Sequence, residues 1–236
     1  MTVQETGHYL PDCEIHEQVE KLKIFIQDHE MIINQEKNKV MLFNTPRMYD
    51  FMPEVTFEGE NYLEVVEEIK LLRIIIQSNM KWYSNTQNMC KKGYTRLWML
   101  RNLKKHGACQ ADLLDVYVKQ CRCMLELAVP VWNPAITKSE ISQIERVQKT
   151  ALAIILGKNY DSYQEALDDL KLSSLEDRRW EICRTFAKKS QQHEKFQYWY
   201  KHSVVPSVTT FEPVPYRTLR YKNSPLPYLT DLLNAD

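Results

Sequence analysis

Helix start and stop signals recur at short intervals through the second half of the chain. Thr137 to Glu140, TKSE, is a capping box, and apolar residues follow it at helical spacing as far as Gly157. Ser162 to Glu165, SYQE, has the same form and predicts a shorter helix through Leu170. Helices of this kind stabilise one another by burying their apolar faces, so residues 107–200 are expected to form a small helical bundle.

Two further helices complete this predicted bundle. One ends before Pro130, and its apolar positions recur every three or four residues: Leu113, Tyr117, Cys121, Met124 and Ala128. The other follows the segment SSLEDRR, and its apolar face is predicted to carry Leu175, Ile182, Phe186, His193 and Phe196.

The first 80 residues have a different pattern. Gln18 to His29 is predicted to be an amphipathic helix with Val19, Leu22 and Ile26 on one face. Ile32 to Phe43 and Ile69 to Ile76 have the apolar, β-branched character of buried strands. Met48 to Ile69 is acidic, and Pro53 and Gly59 indicate turns, which favours a short hairpin. These features predict an α+β chain with short antiparallel strands before the helices.

Charge is unevenly distributed, although Lys+Arg and Asp+Glu both total 31. Lys81 to Lys105 has seven basic residues and no acidic residue, and it includes Trp82, Tyr94 and Trp98. Tyr94, Leu97, Trp98 and Leu100 are helically spaced, so one interpretation is a solvated basic face around a buried stripe. The other is contact with a nucleic-acid backbone, because cations interspersed with aromatic rings suit phosphates and stackable bases.

The last segment, residues 203–236, contains five of the ten prolines and is predicted to be an extended tail. No apolar run approaches the ~20 residues that a membrane span requires, and the N-terminus lacks the features of a secretory signal. Six scattered cysteines are then expected to be reduced thiols. We therefore expect a protein without a membrane partner, in the cytoplasm or the nucleus.

Familiar catalytic and metal-binding motifs do not occur. His106 and Cys109, or Cys121 and Cys123, do not have zinc-ligand spacing, and no metal site is predicted. Asp115 and the Asp168-Asp169 pair are interpreted as solvated helix charges. There is no phosphate-binding glycine loop, nucleophile elbow or HExxH sequence.

Three separated blocks carry a family resemblance. They are INQEKNKVMLFN (33–44), VVEEIKLLRIIIQSNMKW (65–82) and LELAVPVWNPAITKSEISQIERVQKTALAIILG (125–157). In this order, and with the closing NSPLPYLTDLLN, the chain resembles the C-terminal part of a jockey-like non-LTR retrotransposon reverse transcriptase. The resemblance implies a partial palm at 1–80, a thumb and post-thumb bundle at 81–202 and a Pro-rich tail at 203–236.

The resemblance also implies roles for individual residues. Asn34, Lys37 and Lys39 would lie near the phosphates of the incoming nucleotide, where a lysine can neutralise the departing pyrophosphate. Leu71 to Ile76, with Trp82, resembles the primer grip. The thumb would contact the backbone of an RNA–DNA or primer–template duplex through these basic residues: Lys91, Lys92, Arg96, Arg101, Lys104 and Lys105.

Departures from the family limit what the chain can do. The family's catalytic Asp-Asp pair precedes the Asn-x-x-Lys block and holds two Mg²⁺ ions, but no Asp-Asp pair precedes Asn34. No catalytic residue and no cofactor are therefore expected in this chain. Asn38 replaces the usual Thr, and Leu72-Arg73 replaces Leu-Gly, which removes room for the close approach of a primer.

Three interpretations stay open. The chain is a polymerase fragment that holds template–primer but does not synthesise DNA alone. Alternatively it is a helical protein-interaction module or a decaying remnant, or it is part of a longer enzyme whose polymerase half lies upstream and is a partner. Steep salt dependence of nucleic-acid binding would distinguish the first from the second.

Overall fold

The computed structural model describes residues 13–32, 34, 37–43, 63–203 and 210–235. The chain divides into two compact units, Met1–Met80 and Lys81–Asp236. Short strands lie in the first unit and most of the helices in the second. The α+β class is therefore correct in its coarse form, with helices dominating.

The first unit begins with helix α1, Cys13–Asp28. The predicted helix is confirmed, although it begins five residues before Gln18. Val19, Leu22 and Ile26 are half-buried, whereas Ile24 and Phe25 are exposed. The predicted apolar stripe of α1 is thus less exposed than the neighbouring positions Ile24 and Phe25.

The first pair of strands is parallel. Strand β1, Lys39–Val40, pairs with β2, Glu64–Val65, so that Lys39 lies beside Glu64. The prediction of a long buried strand from Ile32 to Phe43 is wrong, since Ile32 is 98% exposed and, among the residues of this range that the structure describes, only Lys39 and Val40 form a strand. The antiparallel prediction is also wrong for this pair, because β1 and β2 run parallel. The hairpin predicted within Met48 to Ile69 lies largely outside the described residues.

The second pair is an antiparallel hairpin. Strand β3, Glu68–Leu71, pairs with β4, Ile74–Gln77, and Leu72-Arg73 form the turn between them. Both turn residues are left-handed, with φ of 47° and 73°. The prediction of a single strand from Ile69 to Ile76 is therefore wrong. No Gly, Asn or Asp indicates this tight turn, which ordinarily requires such residues.

Arg73→Gly is expected to stabilise this hairpin by about 0.5–1 kcal/mol, because glycine adopts positive φ without the steric strain of a Cβ atom. Native-state hydrogen exchange of the amides of Ile69 and Ile76 would measure the change. Arg73→Ala is the control, since it removes the same charge but keeps the Cβ. Equal protection in the two variants would contradict the strain explanation.

The second unit is organised around two long helices. Helix α2, Tyr83–Lys105, packs along α6, Lys138–Leu156. Leu97 and Leu100 of α2 have no exposed surface. Gly93 lies where the helices approach, and a Cβ there would be 2.9 Å from Val147 Cγ1. Glycine at this position therefore permits close packing of α2 on α6.

Between these helices the chain forms a single helical run with a change of pitch. Helix α3, Gln110–Val116, continues as a π-helix, Tyr117–Arg122, and ends in α4, Cys123–Leu125. Its four core residues are each 1% exposed or less: Leu113, Tyr117, Cys121 and Leu125. In an α-helix, residues spaced by four are displaced around the helix by about 40° at each step. The wider turn of the π-helix offsets part of this displacement, so that the four side chains stay on one side.

The end of this run differs slightly from the prediction. Ala128 adopts a left-handed conformation with φ of 50° and begins α5, Val129–Trp132, which includes Pro130. A 3₁₀ turn at Asn133–Ala135 then leads to α6. Trp132 of α5 has no exposed surface and anchors this corner in the core.

The capping box predicted for α6 is confirmed, and of the box predicted at Ser162 the bond to the Ser162 side chain is confirmed. Thr137 Oγ1 accepts from Glu140 N, and Thr137 N donates to Glu140 Oε2 over 2.7 Å, which completes the capping box of α6. Ser162 caps α7, Tyr163–Asp169, by accepting from Glu165 N. Gly157, with φ of 65°, ends α6 and is the first residue of a 3₁₀ turn, Gly157–Asn159.

Helix α8, Leu175–Gln192, differs from its prediction in the face it buries. The prediction chose apolar positions as far as His193 and Phe196, but the helix ends before both, and Phe186 is 37% exposed. Of the predicted positions Leu175 is buried, and the other buried side chains of α8 lie elsewhere on the helix: Arg179, Cys183, Ala187 and Ser190. A 3₁₀ turn, Gln197–Trp199, follows.

The predicted extended tail is partly wrong. Residues 219–234 contain two helices, α9, Leu219–Lys222, and α10, Pro225–Asn234, and α10 packs against α5 and α8. Proline is compatible with the first turn of a helix, where its missing N–H leaves no bond unmade. Three leucines of α10 are then buried: Leu229, Leu232 and Leu233. Asn234 Oδ1 also accepts from Phe211 N over 2.9 Å, which ties the preceding segment down.

Candidate nucleic-acid interface

One face of α2 carries exposed cations and aromatic rings. Lys91, Tyr94, Trp98, Arg101 and Lys105 recur at three or four residues and are all exposed. We call this set the cationic face. Since α2 rises 1.5 Å per residue, the face is about 21 Å long. No acidic residue occurs anywhere in α2.

The aromatic rings of this face are open to solvent. Trp98 is 67% exposed and Tyr94 is 38% exposed. The predicted buried stripe is therefore only half correct, because Leu97 and Leu100 are buried while the two rings point outward. Aromatic rings beside cations are the combination on which unpaired bases stack.

The cations of the cationic face have no neutralising partner nearby. Among the described residues, Lys91, Arg101 and Lys105 form no ion pair with a carboxylate. Lys119, by contrast, is 2.8 Å from Asp115. The charge of the cationic face is therefore available to an external anion.

Two predicted contact residues are structural. Lys104 Nζ donates to the carbonyls of Ile154 and Ile155, the latter over 3.1 Å, and so caps the end of α6. Trp82 is 5% exposed and lies in the core, so its ring cannot stack on a base. The prediction that Lys104 and Trp82 contact nucleic acid is therefore corrected: neither side chain belongs to the candidate interface.

Lys92 and Arg96 lie on another side of α2. Both are half-buried, and Arg96 Nη1 donates to the carbonyl of Gln120 in the π-helix. A cation in this position stabilises the packing of α2 against the π-helix. Arg96 is thus engaged within the fold, and Lys92 does not extend the cationic face.

A further cation, which the sequence did not single out, comes from α6. Arg146 is exposed and lines a cavity between α2 and α6 together with Lys91 and Tyr94. It is separated from Lys91 by more than 50 positions in the chain, so no local pattern could reveal the proximity. Burial raises the pKa of Tyr94 above its ordinary value.

The predicted phosphate-proximal residues lie in the first unit. Asn34 and Lys37 are exposed, and Asn34 O accepts from Lys37 N over 3.1 Å. Lys39 Nζ is 2.6 Å from Glu64 Oε2, so Lys39 is paired with a carboxylate. Lys37, in contrast to Lys39, has no ion-pair partner among the residues described for this unit.

The cysteines and acids that the structure describes do not assemble into a chemical site. Cys121 has no exposed surface, and burial raises the pKa of its thiol to about 11, whereas Cys123 is exposed. Asp168 and Asp169 are exposed on α7. Within the described ranges, no three His, Cys, Asp or Glu side chains are placed to hold a metal ion.

None of the helices described here combines the length and the apolar character needed to cross a bilayer. Comparison with protein-family models, with curated proteins and with solved structures found no match.

Proposed function

We propose that the chain is a fragment of a retrotransposon-type RNA-directed DNA polymerase that contacts template–primer through the cationic face of α2. In this proposal the helical unit acts as a thumb and contacts the sugar–phosphate backbone. The chain contributes binding rather than synthesis, because no Asp-Asp pair precedes Asn34 to hold catalytic metal ions.

The observation that carries the proposal is the combination of charge and exposure on one helix. Lys91, Arg101 and Lys105 are exposed without carboxylate partners in the described part of the chain, and Trp98 is 67% exposed between them. Trp98 thus adds a large aromatic ring, open to solvent, to the same face as the cations. Phosphates and unpaired bases together account for both features.

Binding of an RNA–DNA hybrid with a single-stranded template overhang tests the proposal. The triple variant Lys91→Ala, Arg101→Ala and Lys105→Ala is expected to bind more weakly than wild type, and its salt dependence should be shallower by up to about three in log–log slope. Fluorescence anisotropy over a series of salt concentrations would measure both quantities for the full chain.

A second triple variant is the matched control. Lys158, Lys189 and Lys195 are exposed and lie outside α2, so replacing them by alanine removes the same charge. Equal weakening in both triple variants would show that net charge alone matters, and would overturn the interface. The same preparations should show no primer extension with Mg²⁺ or Mn²⁺, and template-dependent synthesis would contradict that part of the proposal.

A protein-interaction module is the second candidate. Exposed apolar side chains near the end of the chain favour it, since Tyr198 is 73% and Leu219 is 76% exposed. Absence of nucleic-acid binding at low salt would favour this candidate over the first.

A further inference from the structure

A groove of about 500 Å³ lies between α2 and the first half of α6. Lys91 and Tyr94 line it from α2, and Ser139, Ser142 and Arg146 line it from α6. The groove therefore brings together two cations and several hydroxyl groups from opposite walls. We call it the α2–α6 groove.

The charges of the α2–α6 groove are all of one sign. Its lining contains Lys91 and Arg146 but no carboxylate. Cys90 also lines it, and burial raises the pKa of this thiol to about 11, so the thiol stays neutral at pH 7. Within the described residues neither cation forms an ion pair, and two like charges facing one groove repel each other. An anion between them would relieve that repulsion.

The walls of the groove are held together independently of any ligand. Gln87 Nε2 on α2 donates to Gln143 Oε1 on α6 over 2.6 Å. Thr86 Oγ1 donates to Glu140 Oε1 over 3.4 Å deeper in the same helix pair. The two cations are thus carried by helices whose spacing is already set.

We propose that the α2–α6 groove is a phosphate-binding site that holds one phosphodiester of the strand lying on the cationic face. Arg146 and Lys91 supply the charge, and Ser139 and Ser142 offer hydroxyl donors. A guanidinium matches phosphate geometry with two parallel N–H bonds, and a lysine adds a point charge. This inference rests on the proposed function, because Lys91 belongs to both the groove and the cationic face.

Arg146→Gln is expected to weaken binding of the hybrid and to reduce the log–log salt slope by about one. Between 50 and 200 mM salt, the affinity of wild type would then fall roughly three- to fourfold more than that of the variant. Lys158→Gln, which removes one charge just beyond α6, is the control and should behave as wild type. In the part of the chain that the structure describes, the Arg146 side chain forms no ion pair, and a thermal melt of each variant checks that it folds.

Coupling between the two cations tests whether they hold the same phosphate. The double variant Lys91→Gln with Arg146→Gln should lose less affinity than the product of the two single losses, because one contact is removed only once. If the affinity loss of the double variant equals the product of the two single losses, the cations hold separate phosphates, and the shared site is overturned.

Inorganic phosphate separates a nucleic-acid ligand from a free phosphate ester. Added against chloride at equal ionic strength, it should raise the melting temperature of wild type but not of Arg146→Gln. If phosphate raises the melting temperature of wild type while Arg146→Gln binds the hybrid as tightly as wild type does, the groove binds a free phosphate. The phosphodiester proposal is then overturned.

The remaining outcomes keep this inference apart from the proposed function. If the α2 triple variant weakens hybrid binding but Arg146→Gln changes neither binding nor melting, the cationic face stands and the groove site is overturned. If wild type binds no hybrid at low salt, both the proposed function and the phosphodiester site are overturned.

Discussion

Replacing Arg179 by alanine is expected to lower the free energy of unfolding of the helical unit by about 3–5 kcal/mol, because it leaves a mostly buried carboxylate without its cation. Arg179 is 2% exposed, and its Nε donates to Asn133 Oδ1 over 2.9 Å. Its Nη1 lies 4.0 Å from Glu145 Oε2. Urea unfolding would measure the change, and all five tryptophans lie in Lys81–Asp236, so their fluorescence reports this unit alone.

The geometry around Arg179 explains why the ion pair itself contributes little. Burial lowers the pKa of Arg179 in spite of the opposing charge of Glu145, so desolvation exceeds the attraction. Glu145 Oε1 accepts from Leu175 N over 3.0 Å and from the Tyr163 hydroxyl. Among the described atoms, Glu145 Oε2 and Arg179 Nη1 have no hydrogen-bond partner.

Two further variants sharpen this prediction. Arg179→Met with Glu145→Gln should recover part of the lost stability, because it removes both buried charges while an amide oxygen can still accept from Leu175 N. Arg178→Ala is the neighbouring control: Arg178 is about one-third exposed and pairs with Glu126, so a loss of about 1 kcal/mol or less is expected. Equal losses for Arg178→Ala and Arg179→Ala would refute the special role of burial.

Leu97→Ala is expected to destabilise the helical unit by about 2–5 kcal/mol, because Leu97 has no exposed surface and its truncation leaves a cavity in the core. Its neighbour Trp98 is 67% exposed, so Trp98→Ala should change stability by no more than about 0.5 kcal/mol. The same tryptophan fluorescence, followed in urea, would measure both variants.

Binding should show the opposite order for these two residues. Trp98→Ala is expected to weaken binding of the single-stranded overhang by about 1–3 kcal/mol if a base stacks on the ring. Leu97→Ala should leave the affinity of the folded fraction close to wild type. A variant of Trp98 that binds the overhang normally would show that the open ring has no part in recognition.

Several local features follow directly from the residue pattern. The caps at Thr137 and Ser162 and the helix end at Gly157 form where the sequence predicts them. Each depends on hydrogen bonds or backbone angles within about four residues, so the neighbouring residues in the sequence are sufficient to predict it. The hairpin turn at Leu72-Arg73 was missed for the converse reason, because its residues do not favour the conformation that the strand pairing imposes.

The candidate interface was only partly accessible to such reasoning. The basic segment from Lys81 to Lys105 is evident in the sequence, but its division into solvent-facing, capping and core residues is not. Lys104 caps α6 and Trp82 enters the core, whereas Trp98 is open to solvent. Which side of an amphipathic helix with mixed aromatic and basic residues is buried depends on the helices that pack against it.

The sequence by itself thus determined where α6 and α7 begin, where α6 ends and where positive charge is concentrated, since these properties are set by short-range hydrogen bonding and composition. Only the tertiary structure decided that Arg146 joins Lys91 across a groove and that Arg179 lies beside Glu145 in the interior. It also decided that α10 packs on α8 in spite of its prolines. The physical reason is that these contacts join residues more than 30 positions apart, and their geometry is set by the packing of whole helices.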